Sequence, residues 1–136
     1  MLRNAILLVD NSQVLMDLTR KTLERSGYNV RCAAGLEVMR EHLATFAPDV
    51  IVLDQKLPDG TGIDMCRELR NHYTTPIMFT SDTKDDEFPS LQAGASDFLK
   101  KPFDYEIFKA RIAALLNREV RDSYVHRTFE LISERA

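Results

Sequence analysis

Residues 50–62 read VIVLDQKLPDGTG. Val50, Ile51, Val52 and Leu53 form a continuous apolar run rather than an alternating one, the pattern of a strand buried on both faces of a parallel sheet. Asp54 follows at once, and Pro58, Asp59, Gly60 and Gly62 are turn and loop residues. Asp54 is therefore expected at the carboxyl end of a strand, facing a loop rather than the core. In open α/β sheets that edge is where ligands bind.

Four further segments read as strands: AILLV at 5–9, YNVRCA at 28–33, PIMF at 76–79 and SDFLK at 96–100. Helical patterns lie between them. Val14, Leu15, Leu18 and Leu23 recur at near-helical spacing before Gly27, a helix stop, and Leu36, Met39 and Leu43 do so before Pro48. Cys66 and Leu69 mark a third helix over 63–72. The fourth, within KDDEFPSLQAG, is expected to be short or displaced, because Pro89 lacks an amide donor and belongs in a first turn. The fifth starts near Asp104, a capping residue, and carries Ile107, Phe108, Ile112, Leu115 and Leu116. Strict strand-helix alternation with short connections predicts a doubly wound α/β domain, a (βα)5 unit whose parallel sheet has helices on both faces.

A chain of 136 residues, 44% apolar and 29% charged, fits one soluble domain with a real core. Its net charge of −3 argues against non-specific nucleic-acid binding, which needs a basic face. No stretch is long enough to span a membrane, and Ala5 to Val9 is too short for a signal peptide. Cys32 and Cys66 form neither a CxxC motif nor a disulfide framework and read as reduced structural thiols, so a cytoplasmic location is expected. His42, His72 and His126 are scattered and read as surface groups. Gly60 and Gly62 serve a turn, since no GxxxxGK pattern follows.

Asp10 ends the first strand as Asp54 ends the third, Thr80 and Ser81 follow the fourth, and Lys101 follows the fifth. Parallel strands bring all four places to one edge. Two carboxylates and the neighbouring amide Asn11 offer oxygen ligands suited to Mg²⁺, and a lysine with a hydroxyl can hold phosphoryl oxygens. Singly, each residue is explained as a helix cap or a solvated charge. Structure alone does not require their coincidence on strands one, three, four and five.

The stretches ILLVDN, VIVLDQKLPDGTG, PIMFTSD and GASDFLKKPF resemble the motifs of the receiver domain of two-component response regulators, the CheY-like fold. The resemblance runs in order from Ile6 to Leu116 and implies the flavodoxin-like strand order 2-1-3-4-5. It implies that Asp54 accepts a phosphoryl group from a sensor histidine kinase or phosphotransfer protein. Asp10, Asn11, Asp54 and the Lys56 carbonyl would hold Mg²⁺, while Thr80, Ser81 and Lys101 would meet the phosphoryl group and switch state with Phe98. It also implies a cis Lys101–Pro102 bond, and side chains at Lys56 and Asp82 that flank the path of the hydrolytic water and tune dephosphorylation.

Two residues depart from the family's usual pattern. Asn11 stands where a second acid is usual and brings no charge to the metal, and Phe98 stands where tyrosine is frequent and has no hydroxyl. The domain is placed at 1–117, with a helical extension or linker over 118–136. There Val120, Tyr124, Phe129, Leu131 and Ile132 continue a helical pattern, and Arg118 with Asp122 and His126 with Glu130 stand at i,i+4 spacing. Either an effector domain or a homodimer through this helix is expected as a partner. The leading reading is a phosphorylation-dependent switch, and not an enzyme, since a phosphatase-type hydrolase would need a general acid where Lys56 sits. The rival is a pseudo-receiver, an interaction module regulated without phosphorylation.

Overall fold

The computed structural model describes residues 4–117. Its elements run β1 (Ala5–Val9), α1 (Gln13–Arg25), β2 (Asn29–Ala33), α2 (Leu36–Leu43), β3 (Val50–Asp54), α3 (Gly62–Arg70), β4 (Ile77–Ser81), α4 (Glu87–Gln92) and β5 (Asp97–Lys100). A fifth helix, α5, covers residues 105–117. A small antiparallel ribbon, Lys56–Leu57 against Gly60–Thr61, sits between β3 and α3. The five main strands form one parallel sheet in the order β2-β1-β3-β4-β5. The doubly wound reading is thereby met. The helical extension or linker expected over 118–136, with its Arg118–Asp122 and His126–Glu130 pairs, lies outside the described residues.

Strand periodicity sorts the core into two halves. Leu7, Val9, Ile51, Leu53 and Ile77 face one way and pack with Leu36 and Met39 of α2 and with Met65, Cys66 and Leu69 of α3. Ile6, Leu8, Val50, Val52 and Met78 face the other and pack with Met16 and Leu23 of α1 and with Phe108, Ile112 and Leu115 of α5. This explains why β1 and β3 read as unbroken apolar runs: both of their faces are covered.

The helices correct several expectations. On α1 the buried positions are Met16, Thr19 and Leu23, whereas Val14 is 81% and Leu18 52% exposed. The inward stripe is rotated because Thr19, although polar, has a partner inside: its hydroxyl is 2.9 Å from the Tyr105 hydroxyl. Gly27 does stop the helix, at φ +94, a left-handed conformation natural to glycine, and its N–H donates to the Glu24 carbonyl. Ile107, expected on the inward face of α5, points to solvent. Asp104 caps that helix through Oδ1, which accepts from the Glu106 and Ile107 amides. Pro89 lies in the first turn of α4, which has only 6 residues after a 3-10 turn at Lys84–Asp86. His42 is half-buried rather than a free surface group, and its Nε2 lies 2.9 Å from the Cys32 carbonyl. Cys32 and Cys66 are free thiols.

Candidate functional site

The period-two alternation that builds the core also builds the site. Ile6, Leu8 and Asp10 succeed one another on the α1/α5 side, as do Val50, Val52 and Asp54, and then Met78 and Thr80. Three polar residues thus stand at the carboxyl ends of three adjacent strands. Asp54 lies opposite Thr80 in the β3–β4 register. Thr80 and Ser81, expected to follow the fourth strand, are its last two residues, because pairing with Leu99 and Lys100 of β5 extends β4 beyond Phe79.

Lys101 closes the arrangement. Its Nζ lies 3.0 Å from Asp10 Oδ2 and 3.0 Å from Asp54 Oδ2, with all three side chains at most 12% exposed. The other Asp10 oxygen accepts from the Ser12 amide at 2.8 Å. Burial pushes the Asp54 carboxyl above its ordinary value, and the neighbouring Lys101 ammonium opposes that rise without cancelling it. Burial also works against the charged Lys101, but the hydrogen bonds and charges of Asp10 and Asp54 outweigh it and leave the ammonium raised. One cation therefore serves two anions, and the trio carries a net negative charge.

The Thr80 hydroxyl is buried without a hydrogen-bond partner among the described residues. A buried polar group of this kind costs about 1–3 kcal/mol, so its presence calls for an explanation. Ser81, one residue on, faces the other side of the sheet. Its hydroxyl donates to Asp86 Oδ2 at 2.6 Å and accepts from the Thr83 amide, tying the end of β4 to the turn before α4. Phe98 is buried and stacks with Phe79, their ring centroids 6.3 Å apart. The Lys101–Pro102 peptide bond is cis.

Asn11 is exposed at the mouth of the site, and its backbone N–H favours the ionised Asp54. Lys56 and Asp82 are both exposed. No ion pair joins them among the described residues. Asp82 and Lys101 line an open groove with Leu15, Pro102, Phe103 and Tyr105. No group of three or more histidines, cysteines or acids is placed to hold a metal ion by itself among the described residues. The donor set is instead two carboxylates, hard oxygen donors in net excess over one ammonium, beside a hydroxyl that lacks a partner among the described residues. That set fits a small divalent cation and a phosphoryl group.

Comparison with known proteins agrees with this geometry. The sequence profile of the response regulator receiver domain matches residues 6–113. The chain belongs to that family. The alkaline phosphatase synthesis transcriptional regulatory protein PhoP of Bacillus subtilis is 39% identical over 117 residues, covering 83% of this chain and 48% of that protein. The KDP operon transcriptional regulatory protein KdpE of Escherichia coli is 36% identical over 115 residues, covering 83% of the chain and 51% of the relative. The receiver domain thus spans about half the length of these curated relatives. Among solved structures, a two-component response regulator from Clostridium difficile superposes with a TM-score of 0.82 at 28% identity, covering 86% of this chain and 98% of that one. The response regulator DrrB of Thermotoga maritima, an OmpR/PhoB homologue, does so with 0.79 at 29% identity, covering 87% and 54%.

Sequence reasoning missed one residue of this receiver domain. Asp59, read only as part of a turn, caps a helix that is distant in sequence: Oδ1 accepts from the Leu36 amide at 2.8 Å and Oδ2 from the Glu37 amide at 2.9 Å. The signal was an absence. Gly35, at the N-cap of α2, has no side chain to satisfy those amides.

Proposed function

We propose that this receiver domain is a phosphorylation-dependent signalling switch in which Asp54 accepts a phosphoryl group from the phosphohistidine of a sensor histidine kinase or phosphotransfer protein. The observation that carries the reading is the Lys101 ammonium held 3.0 Å from the carboxylates of both Asp10 and Asp54, deep at the strand ends. A bond forms between an Asp54 carboxylate oxygen and phosphorus, the phosphorus–nitrogen bond of the donor breaks, and the departing imidazole takes up a proton. A carboxylate is a weak nucleophile, so the transfer depends on groups that offset charge and fix position.

Lys101 supplies the fixed positive charge, and the Thr80 hydroxyl supplies a donor with no other partner among the described residues. Asp10, Asp54, Asn11 and the Lys56 carbonyl would hold Mg²⁺, which when bound would offset the charge on phosphoryl oxygens. Once Asp54 carries the added charge of about −1.5 to −2, Thr80 turns toward it and Phe98 and the segment from Ser81 to Asp86 follow. The altered surface is then read by a partner. We assign 1–117 to the switch and 118–136 to a linker toward an effector domain or a dimer contact. The longer relatives PhoP and KdpE are transcriptional regulatory proteins, which supports an output of this kind.

Incubation with acetyl phosphate or beryllofluoride and Mg²⁺ should modify the wild-type protein and not Asp54→Ala. Equal modification of the variant would refute the assignment, and no modification of either protein would favour the pseudo-receiver, which Asn11 supports by its missing charge. We further assign Lys56 and Asp82 to control of the phosphoryl lifetime, since Asp82 lines the groove beside Lys101 and both side chains are exposed on the loops that follow Asp54 and Thr80. Dephosphorylation should quicken in Lys56→Ala to an extent that depends on Asp82. A lifetime unaltered by either single change or by both together would show that neither side chain gates water.

A further inference from the structure

The ribbon that carries Lys56 is fixed at two ends by different means. At its base, the Gly62 amide donates to the Gln55 carbonyl at 2.9 Å, and the Ile63 amide donates to the Gln55 side-chain oxygen at 2.9 Å. At its turn, the ribbon is held by Asp59, whose carboxylate straddles the Leu36 and Glu37 amides at the start of α2. Two glycines make this close approach feasible. A Cβ on Gly35 would stand 2.9 Å from Asp59 Oδ1, and one on Gly60, which sits at φ +154, would stand 2.6 Å from Leu36 Cδ1. Those amides hold the exposed Asp59 carboxyl below its ordinary value, so it is ionised and seated at neutral pH.

We propose that Asp59 is a positioning residue for the metal: by anchoring the turn of the ribbon to the N-terminus of α2, it fixes the Lys56 carbonyl for Mg²⁺. The inference rests on the reading of Asp54 as a Mg²⁺-dependent phosphoacceptor. Lys56 lies between the pinned base and the anchored turn, and it pairs with Thr61 across the ribbon. Without Asp59 the turn is released from α2, and the carbonyl is held only by the base, the strand pairing with Thr61 and the packing of Leu57 on the core, a looser frame for an ion that demands close geometry. Coupling is reciprocal, so Mg²⁺ on the ribbon must in turn tighten the grip of Asp59 on α2.

Mg²⁺ titration followed by backbone amide signals, together with amide hydrogen exchange, tests this in the full chain. Asp59→Ala should weaken Mg²⁺ by about fivefold or more, with Asp59→Asn between it and wild type because one acceptor oxygen remains. Leu43→Ala, which loosens the opposite end of α2, should leave Mg²⁺ affinity unchanged. Mg²⁺ should slow exchange at the Leu36 and Glu37 amides in wild type but not in Asp59→Ala. Equal affinity in Asp59→Ala, an equal loss in Leu43→Ala, or exchange at these amides indifferent to Mg²⁺ would overturn the proposal and leave the phosphoacceptor reading standing. A wild-type protein that neither binds Mg²⁺ nor takes up a phosphoryl group would overturn both.

Discussion

At the scale of the residue, Lys101 decides the state of the site. Removing it in Lys101→Met would leave two buried carboxylates facing each other, and breaking a buried pair in this way costs about 3–5 kcal/mol at neutral pH. The pH dependence has a defined sign. Asp54 is raised above 3.8 by burial, so the folded protein holds that proton more tightly than the unfolded chain, and stability falls as pH rises from 3.8 through the folded value. The contribution of Lys101, raised above 10.5, is complete below that pH and is lost as pH rises through its own folded value. In Lys101→Met the carboxyl rises further, so the deficit should be large at pH 7 and shrink as pH falls toward 4. Urea denaturation across that range, without metal, measures it. A deficit independent of pH would contradict the charge account.

At the scale of the element, the hinge between β3 and α3 is the tightest place near the site. A Cβ on Gly62 would lie 2.3 Å from the Asp54 carbonyl oxygen and 2.9 Å from the Phe79 ring, neither of which is the tip of a flexible chain. Gly62→Ala should therefore destabilise by roughly 3 kcal/mol and displace Asp54, so that phosphoryl uptake falls more than stability alone would require. Denaturation and acetyl phosphate labelling of the same preparation separate the two effects. The strands themselves were legible from unbroken apolar runs, and Asp54, Asp10 and Lys101 from their places at the ends of those runs. The side of the sheet taken by Ser81 was also open to reading, since alternation from Met78 sends Thr80 one way and Ser81 the other. The inward face of α1 was not legible. Val14 and Leu18 outscore Thr19 in hydrophobicity, and only the distant Tyr105 makes a buried threonine acceptable. Asp59 was hidden for the same reason, because its partners lie 22 and 23 residues back along the chain.

At the scale of the whole molecule, ligands of the site should act as staples. Asp10, Asp54, Thr80 and Lys101 come from the ends of β1, β3 and β4 and from the residue after β5, so a ligand that joins them links four strand ends. Binding to the native state alone stabilises by RT ln(1 + [L]/Kd), about 2.7 kcal/mol at a hundredfold excess over Kd. Mg²⁺ with beryllofluoride should raise the melting temperature by about 10 °C, and a chelator should return it to the starting value. The rise should be absent in Asp54→Ala. A comparable rise in that variant would place the ligand elsewhere.

The bridge from Lys101 to Asp10 spans 91 residues of chain. During synthesis, Asp10 and Asp54 leave the ribosome long before their shared cation does, and β1 to β4 can pair while the site still lacks it. On the proposed reading, a chain that stops short of Lys101 would lack the ammonium that sets Asp10 and Asp54 beside each other and would hold no fixed positive charge for a phosphoryl donor. On that reading, competence to accept a phosphoryl group would arrive only with docking of the last strand.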